Sequence, residues 1–198
     1  MNRRSLILGS LLLALAIPMA ASQFVELPFD QVAREAQFIV RGNVVQTWSA
    51  WDDAHEVIYT YATVRVQRYF GEATGPDTLV VREVGGTVEG YTQEAIGFPM
   101  IRNGEDVVLF LSRWDDGADF RIHAFNQGKY LVRQRGGKEV VVSDPVTQGA
   151  ERLDAGHGFD VRSNAISAIT PALGIDELSD MIDNARAGRT EADRQIER

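Results

Sequence analysis

The chain has 198 residues, no cysteine and a net charge of −8. This length is enough for one domain with a substantial core, and that domain must fold without disulfides. Cysteine catalysis is excluded, and the negative charge makes nucleic acid and anionic membrane surfaces poor partners. A basic protein, a cation or a neutral ligand is compatible with this composition, as is acidity that serves only solubility.

The first 22 residues have the order of features of a secretory signal peptide. Arg3 and Arg4 precede an apolar run over residues 6–19, and small residues follow at 20–22. A retained membrane anchor is the alternative, but the run falls short of the ~20 apolar residues that a spanning helix needs. We therefore predict cleavage near Ser22 and a periplasmic or secreted protein that is not inserted in a membrane.

A short helix and three strands are predicted next. Residues 30–36 place apolar side chains at helical spacing. Residues 38–46 (FIVRGNVVQ) have strand composition, with Gly42 at a bulge or a close approach of two backbones. Residues 57–70 show the most regular alternation in the chain, and residues 78–84 (TLVVREV) form a third strand. We expect these strands to pair as an antiparallel meander.

An irregular stretch over residues 87–104 separates this meander from an apolar central strand at residues 105–112. Loops of that length are more often functional or mobile than decorative. Short strands separated by glycine-containing turns follow at residues 120–125, 129–133 and 139–142. Closely spaced short strands of this kind favour a barrel or a sandwich.

The carboxyl-terminal part has a different character. Residues 144–167 are polar and rich in glycine, and residues 175–187 carry the apolar stripe of an amphipathic helix. We therefore divide the chain into a signal peptide (1–22), a β-barrel domain (23–145) and a carboxyl-terminal part (146–198). This last part comprises the glycine-rich connection, the helix and a polar tail, and it packs on the barrel or trails it.

The segment from Val32 to Tyr130 resembles a widespread set of exported bacterial β-barrel proteins of unassigned function. A short helix, the run AQFIVRGNVV, a tyrosine-rich strand and the runs LVVREVGG, GEDVVLFL and FNQGKY carry this resemblance. More distantly, the segment is similar to the inhibitory, netrin-like domain of the tissue inhibitors of metalloproteinases. That similarity lies in the helix with AQFIVRGNVV, a second strand that ends at Tyr69-Phe70-Gly71, and GEDVVLFL.

The resemblance implies an oligonucleotide/oligosaccharide-binding (OB) type barrel of about five strands. We accordingly expect a mainly β fold: an OB-like or netrin-like antiparallel β-barrel with a short helix before it and an amphipathic helix after it. The function does not carry over in the same way. Those inhibitors chelate the protease zinc through an amino-terminal cysteine and brace the site with disulfides, whereas this chain has no cysteine.

No catalytic or metal-binding motif stands out in the sequence. There is no Gly-x-Ser-x-Gly elbow and no His-Glu-x-x-His pair, and His55, His123 and His157 are isolated. Residues 51–56 (WDDAHE) offer oxygen and imidazole groups for a cation, and residues 115–119 hold part of a calcium-loop pattern. A hairpin turn accounts for either segment equally well, so we predict no metal and no cofactor.

The most suggestive feature is a group of aromatic residues around the second strand. Tyr59, Tyr61 and Tyr69 alternate with its buried positions, and Trp48 and Trp51 lie in the adjoining loop. Exposed aromatic rings on a sheet suit protein binding or stacking, which makes these five residues the candidate partner surface. The alternative is that the terminal helix or the 87–104 loop covers them as a second small core.

We therefore expect an exported, non-enzymatic protein that binds another protein, with a secreted protease among the candidates. A module for a carbohydrate or another small ligand is the alternative, since the same surface would serve it. A hydrolase that uses acidic residues such as Asp52, Asp53 and Glu56 ranks third, because paired carboxylates need no recognisable motif. Buried carboxyls of raised pKa would indicate such an enzyme.

Overall fold

The computed structural model describes residues 27–95, 97–117, 119–144 and 172–188. The predicted signal peptide, residues 145–171 of the glycine-rich connection and the tail beyond residue 188 lie outside these ranges. In chain order the elements are α1 (Phe29–Glu35), β1 (Phe38–Trp51), β2 (Ile58–Tyr69), β3 (Thr78–Val84), β4 (Gly86–Val88), β5 (Tyr91–Gln93), β6 (Asp106–Arg113), β7 (Phe120–Ile122), β8 (Lys129–Arg135), β9 (Lys138–Ser143), β10 (Leu173–Gly174) and α2 (Ile175–Arg186).

Five strands close into a barrel in the order β1-β2-β3-β7-β6, with β6 returning to β1. All of these pairings are antiparallel except the short parallel contact between β3 and β7 at Val81 and Phe120. Strands β8, β9 and β10 extend the sheet from the first half of β6. The expected mainly β fold with an OB-like barrel, an early short helix and a carboxyl-terminal helix is confirmed.

Strand β6 is buried on both faces, which explains why its sequence is apolar without alternation. Val107, Leu109 and Leu111 face the barrel interior. Val108 and Phe110 face the opposite side, where the two helices cover the sheet. The fold therefore has two cores that share the wall formed by β1 and β6. Apolar side chains are buried on both sides of this wall, and their burial stabilises it.

The two helices pack on each other and on the outside of this wall. Helix α1 buries Val32 and Ala33, and α2 buries Leu178, Ile182 and Ala185 in the same cluster. The Arg186 guanidinium at the end of α2 donates to the carbonyls of Ala33 (3.3 Å) and Ala36 (3.1 Å), so it satisfies acceptors that the end of α1 would leave unpaired.

Neither of these helices is long and apolar enough to cross a membrane.

The β1–β2 hairpin is longer than the sequence predicts and contains two irregularities. Strand β1 runs on to Trp51, five residues past the predicted end. Val45 is an extra residue on β1, and Gln67 is an extra residue on β2. At the second irregularity a Cβ on Gly42 would lie 2.6 Å from the Arg65 carbonyl oxygen, which confirms the predicted close approach. Each extra residue reverses which face the following side chains occupy.

A second hairpin, β4–β5, lies within the stretch that we expected to be irregular. It packs flat against the end of the β1–β2 hairpin, and a Cβ on Gly86 would lie 2.5 Å from the Ser49 hydroxyl and 2.6 Å from that of Thr60. The side-chain oxygen of Gln93 accepts a hydrogen bond from the Ile58 amide at 2.7 Å. Only glycine allows this contact, so the missing side chain at Gly86 positions the hairpin.

Strand β7 ends at Ile122, three residues before its predicted end. Ala124 and Phe125 both have left-handed backbone angles, with φ of 57° and 56°. Residues without a glycine's freedom rarely adopt this conformation, and it stops the strand before a single 3₁₀ turn leads into β8. The alternation of apolar and polar residues along the sequence does not show where backbone angles of this kind end a strand.

Replacing Val64 with Asp should unfold the domain. Val64 is fully buried in the barrel core, where a carboxylate would have no partner. We expect a loss of about 4 kcal/mol or more, measured by urea denaturation with circular dichroism. Arg65→Asp, at the exposed neighbouring position, should cost no more than about 1 kcal/mol. Equal effects of the two changes would contradict the assignment of strand faces.

Candidate binding surface

Four aromatic residues and one arginine form a continuous group on the outer face of β1, β2 and β3. We call this group, Trp48, Tyr59, Tyr61, Arg82 and Trp114, the aromatic ridge. Trp48, Tyr61 and Arg82 are directly opposite one another on the three adjacent strands. Trp114 reaches the group from the turn after β6, where its indole N–H donates to the Arg82 carbonyl at 2.8 Å.

The rings of the ridge hold one another in fixed orientations. The Trp48 and Tyr61 rings are stacked, with centroids 5.2 Å apart and planes 8° from parallel. Tyr59 lies 6.5 Å from Tyr61 and meets the Trp114 ring edge to face at 5.8 Å. Such pairs contribute roughly 0.5–1.5 kcal/mol each beyond the area that they bury, so the ridge is ordered without a partner.

Arg82 occupies the centre of the ridge. Its guanidinium carbon lies 5.1 Å from the Tyr59 ring centroid and 4.8 Å from that of Trp114. A terminal nitrogen pairs with Asp116 at 2.5 Å, and Asp119 lies 3.8 Å from Nε. Burial opposes the charge, yet the bonds to Asp116 and Tyr61 outweigh burial and raise the pKa of Arg82 above its ordinary value. Arg82 is therefore a fixed, fully charged group.

The structure brings together three of the five residues that the sequence indicated. Trp48, Tyr59 and Tyr61 belong to the ridge, and Trp48 is 38% exposed. Trp51 lies on the other face of the hairpin beside Tyr91, because the extra residue Val45 reverses the faces of β1.

Tyr69 is likewise displaced from the ridge. The extra residue Gln67 turns its ring toward the barrel interior, where it meets Phe38 at 6.1 Å. Its hydroxyl donates to the Pro76 carbonyl at 2.8 Å, and burial raises the pKa of Tyr69. This tyrosine braces the turn between β2 and β3.

Two members of the ridge were not indicated by the sequence. Arg82 lies at one of the outward positions of the alternating strand TLVVREV, so the alternation could have predicted that it faces outward. Trp114 follows the end of β6 in the sequence and meets β3 only because the barrel closes. No local pattern predicts that contact.

Three of the acidic residues considered for chemistry, Asp52, Asp116 and Asp119, serve as turn or ion-pair groups, while Asp53 and Glu56 are exposed on the hairpin turn. The Asp52 carboxylate accepts the amides of Glu56 (2.7 Å) and Val57 (3.0 Å), and these bonds, that of Val57 first, lower its pKa. Asp116 and Asp119 bind Arg82. Within the residues that the structure describes, no group of three or more His, Asp or Glu side chains is arranged to hold a metal ion.

Ser112, His123 and Glu35 form a row with the composition of a catalytic triad. The Ser112 hydroxyl lies 3.0 Å from His123 Nδ1, and Nε2 lies 3.4 Å from Glu35. Ser112 is a regular strand residue rather than a nucleophile on a sharp turn, and the buried Nε2 makes no aligned hydrogen bond within the described chain. The row links α1 to the barrel and lacks the orienting bond that a triad needs.

Glu83 is a buried carboxyl on the inner face of β3. It is 4% exposed and accepts the Ile122 amide at 2.5 Å, which ties β3 to β7. Burial raises the pKa of Glu83 to about 8, against a smaller opposing effect of the Ile122 bond and the Arg121 charge. A raised pKa fits an acid catalyst, but the groups that act on Glu83 are a backbone amide and an arginine rather than a second carboxyl, so a structural role accounts for it.

In comparisons with known proteins, the chain matches no protein-family model and no curated protein.

Glu83→Gln should flatten the pH dependence of stability. Because the folded pKa of about 8 lies above the ordinary 4.5, the stability that this carboxyl contributes is complete below pH 4.5 and is lost as the pH rises toward 8. Glutamine keeps the acceptor for Ile122 and cannot ionise. In urea denaturation, we expect the variant to match the wild type at pH 4.5 and to exceed it by a few kcal/mol at pH 8. Parallel pH profiles would refute the assignment.

Proposed function

We propose that this protein is an exported, non-enzymatic binding protein, that its partner is another protein, and that the aromatic ridge is the contact surface. The observation that carries the proposal is the composition and order of the ridge. Two tryptophans, two tyrosines and a half-buried arginine contact one another in a single group. Trp, Tyr and Arg are the residues that contribute most to protein interfaces.

The position of the ridge supports a binding role. OB-type barrels bind their ligands on the face of the second and third strands, between the loop that joins strands one and two and the loop that joins strands four and five. Here the ridge lies on β2 and β3, and Trp114 belongs to the turn between the fourth and fifth barrel strands, β6 and β7. By analogy with that fold, the ridge occupies the ligand-binding position of the barrel.

The rigidity of the ridge favours tight binding. A side chain that is already fixed loses little conformational freedom when a partner covers it, whereas an immobilised flexible side chain costs about 0.5–1.5 kcal/mol. Tyr61 is fixed by Trp48, and Tyr59 and Trp114 are fixed by the guanidinium of Arg82 between them.

The use of the ring faces favours a protein over a carbohydrate. Sugars stack on open aromatic faces, but the ridge rings stack mainly on one another and on Arg82. Trp48 keeps one face open, on the side away from Tyr61. A protein partner can contact ring edges and tyrosine hydroxyls as well as one open ring face. The ridge offers these groups, so it suits a protein better than a sugar.

A secreted protease is the partner that the resemblance to metalloproteinase inhibitors suggests. An amino-terminal cysteine cannot mediate such an interaction in a chain without cysteine. Contact with a protease would therefore use the ridge. The hydrolase alternative is weaker, since the Asp52 carboxylate is engaged by the backbone of its own turn.

The proposal is tested by affinity capture from the native envelope or culture fluid with the tagged protein. We expect a partner that binds the wild type and is lost from a Tyr59→Ala, Tyr61→Ala double variant. Met100→Ala, an exposed apolar residue outside the ridge, is the control and should retain the partner. Absence of any protein partner, with binding on a glycan array, would replace the proposal with the carbohydrate alternative.

Stability of the double variant distinguishes a contact surface from a second core. Both tyrosines are only half-buried, so we expect thermal unfolding to show a loss of about 1–3 kcal/mol and retention of the fold. A variant that does not fold would indicate that the ridge is a structural core.

A further inference from the structure

The outer edge of β1 carries unused backbone hydrogen-bonding groups. The Asp52 amide donates to the Val57 carbonyl of the opposite strand, and hydrogen-bonded pairs occur at every second residue of an antiparallel ladder. The residues of β1 that hydrogen-bond to β2 are therefore Ala50, Trp48 and Gln46. The alternate residues Thr47, Ser49 and Trp51 direct their N–H and C=O groups the other way. None of these groups has a hydrogen-bond partner among the described residues.

No neighbouring element of the described chain occupies this edge. Strand β6 pairs with β1 only as far as Asn43, and Val44 makes the last contacts, with the backbone of Gly104 and Glu105. The β4–β5 hairpin approaches the flat face of β1 through Gly86 rather than its edge. Among the described residues, the edge from Gln46 to Trp51 therefore has no partner strand.

The sequence of this edge lacks the usual protection. Proteins prevent unwanted pairing at sheet edges with lysine, proline or an inward-pointing charge. The segment QTWSAW (46–51) contains no charged residue and no proline. An unprotected edge of this length suits the addition of a strand from another chain.

The edge adjoins the ridge through Trp48. Tyr61 covers the face of the Trp48 ring that points to β2, so the open face points toward the edge. In an antiparallel added strand, Trp48 would stand at a non-hydrogen-bonded position, where opposing side chains approach most closely. One side chain of the added strand would then pack on this open face.

Charge around the edge defines the partner further. Residues 42–64 and 83–101, which contain both hairpins at this end of the barrel, include no lysine or arginine. The nearest cation of the ridge, Arg82, is paired with Asp116 and Asp119. Asp53, Glu56 and Glu89 are exposed there. A second copy of this chain would bring the same negative charges together, whereas a strand with lysine or arginine would be attracted.

We infer that the partner binds by β-strand addition: an extended segment rich in lysine or arginine pairs with Thr47, Ser49 and Trp51 and places one side chain on Trp48. This inference rests on the proposed function and specifies the partner of the same surface.

The test begins with selection of 12-residue peptides from a random display library on the purified protein. We expect enriched peptides with basic residues alternating with apolar ones, and a synthetic peptide of enriched sequence is then the probe. Thr47→Pro removes one outward N–H without touching the β2 ladder, so the fold should persist while probe affinity falls at least tenfold. Thr47→Val keeps the N–H and should bind as the wild type does.

The outcomes separate this inference from the proposed function. Probe binding that is lost in Tyr59→Ala, Tyr61→Ala but unchanged in Thr47→Pro would overturn strand addition and leave the ridge as the contact surface. Enrichment of acidic peptides, or of none, would also overturn the inference, while loss of a captured protein partner in the double variant would still support the ridge.

Amide hydrogen exchange provides the direct measurement. In the free protein, the amides of Thr47, Ser49 and Trp51 should exchange quickly, and the probe should slow all three. Slow exchange in the free protein, or a dimer in analytical ultracentrifugation that Thr47→Pro dissociates, would show that a segment of this chain or a second copy occupies the edge and would refute the inference.

Discussion

Among the described strands, β1 pairs with two neighbours over its first half and with one over its second, and this change in pairing determines where the barrel closes and where the aromatic ridge lies. From Phe38 to Asn43 it pairs with both β2 and β6, and this double pairing closes the barrel and separates the two cores. Beyond Val44, β2 is its only partner strand among the described residues. The doubly paired half closes the barrel, and the other half carries the aromatic ridge and a sheet edge that no described strand covers.

Two extra residues decide what each half presents. Val45 and Gln67 reverse the faces of β1 and β2, so that Trp48 and Tyr61 stack outside while Tyr69 turns inward and Trp51 turns toward β4–β5. Bulges commonly redirect side chains in this way near functional surfaces. The ridge is thus a product of irregular pairing as much as of aromatic composition.

Buried ionisable groups in this protein connect separate segments of the fold. Lys129 is fully buried and pairs with Glu105 and Asp144, each at 2.7 Å, while it also donates to the Met100 carbonyl. These contacts anchor the loop before β6 to β8. Together with Glu83 between β3 and β7, they show how polar groups connect segments that apolar packing alone would leave less uniquely placed.

The sequence by itself predicted both helices, the apolar central strand β6 and every described strand except β4, β5 and β10, because hydrophobic periodicity reports which faces are covered. It also indicated Trp48, Tyr59 and Tyr61 as candidate surface residues, and the structure groups these three on one face of the β1–β2 hairpin. Tertiary structure alone decided that Trp51 and Tyr69 leave that face, since one extra residue in a pairing is invisible to alternation along a single strand. It alone brought Trp114 beside Arg82 and left the β1 edge unpaired among the described residues, because those outcomes depend on which distant strands meet when the barrel closes.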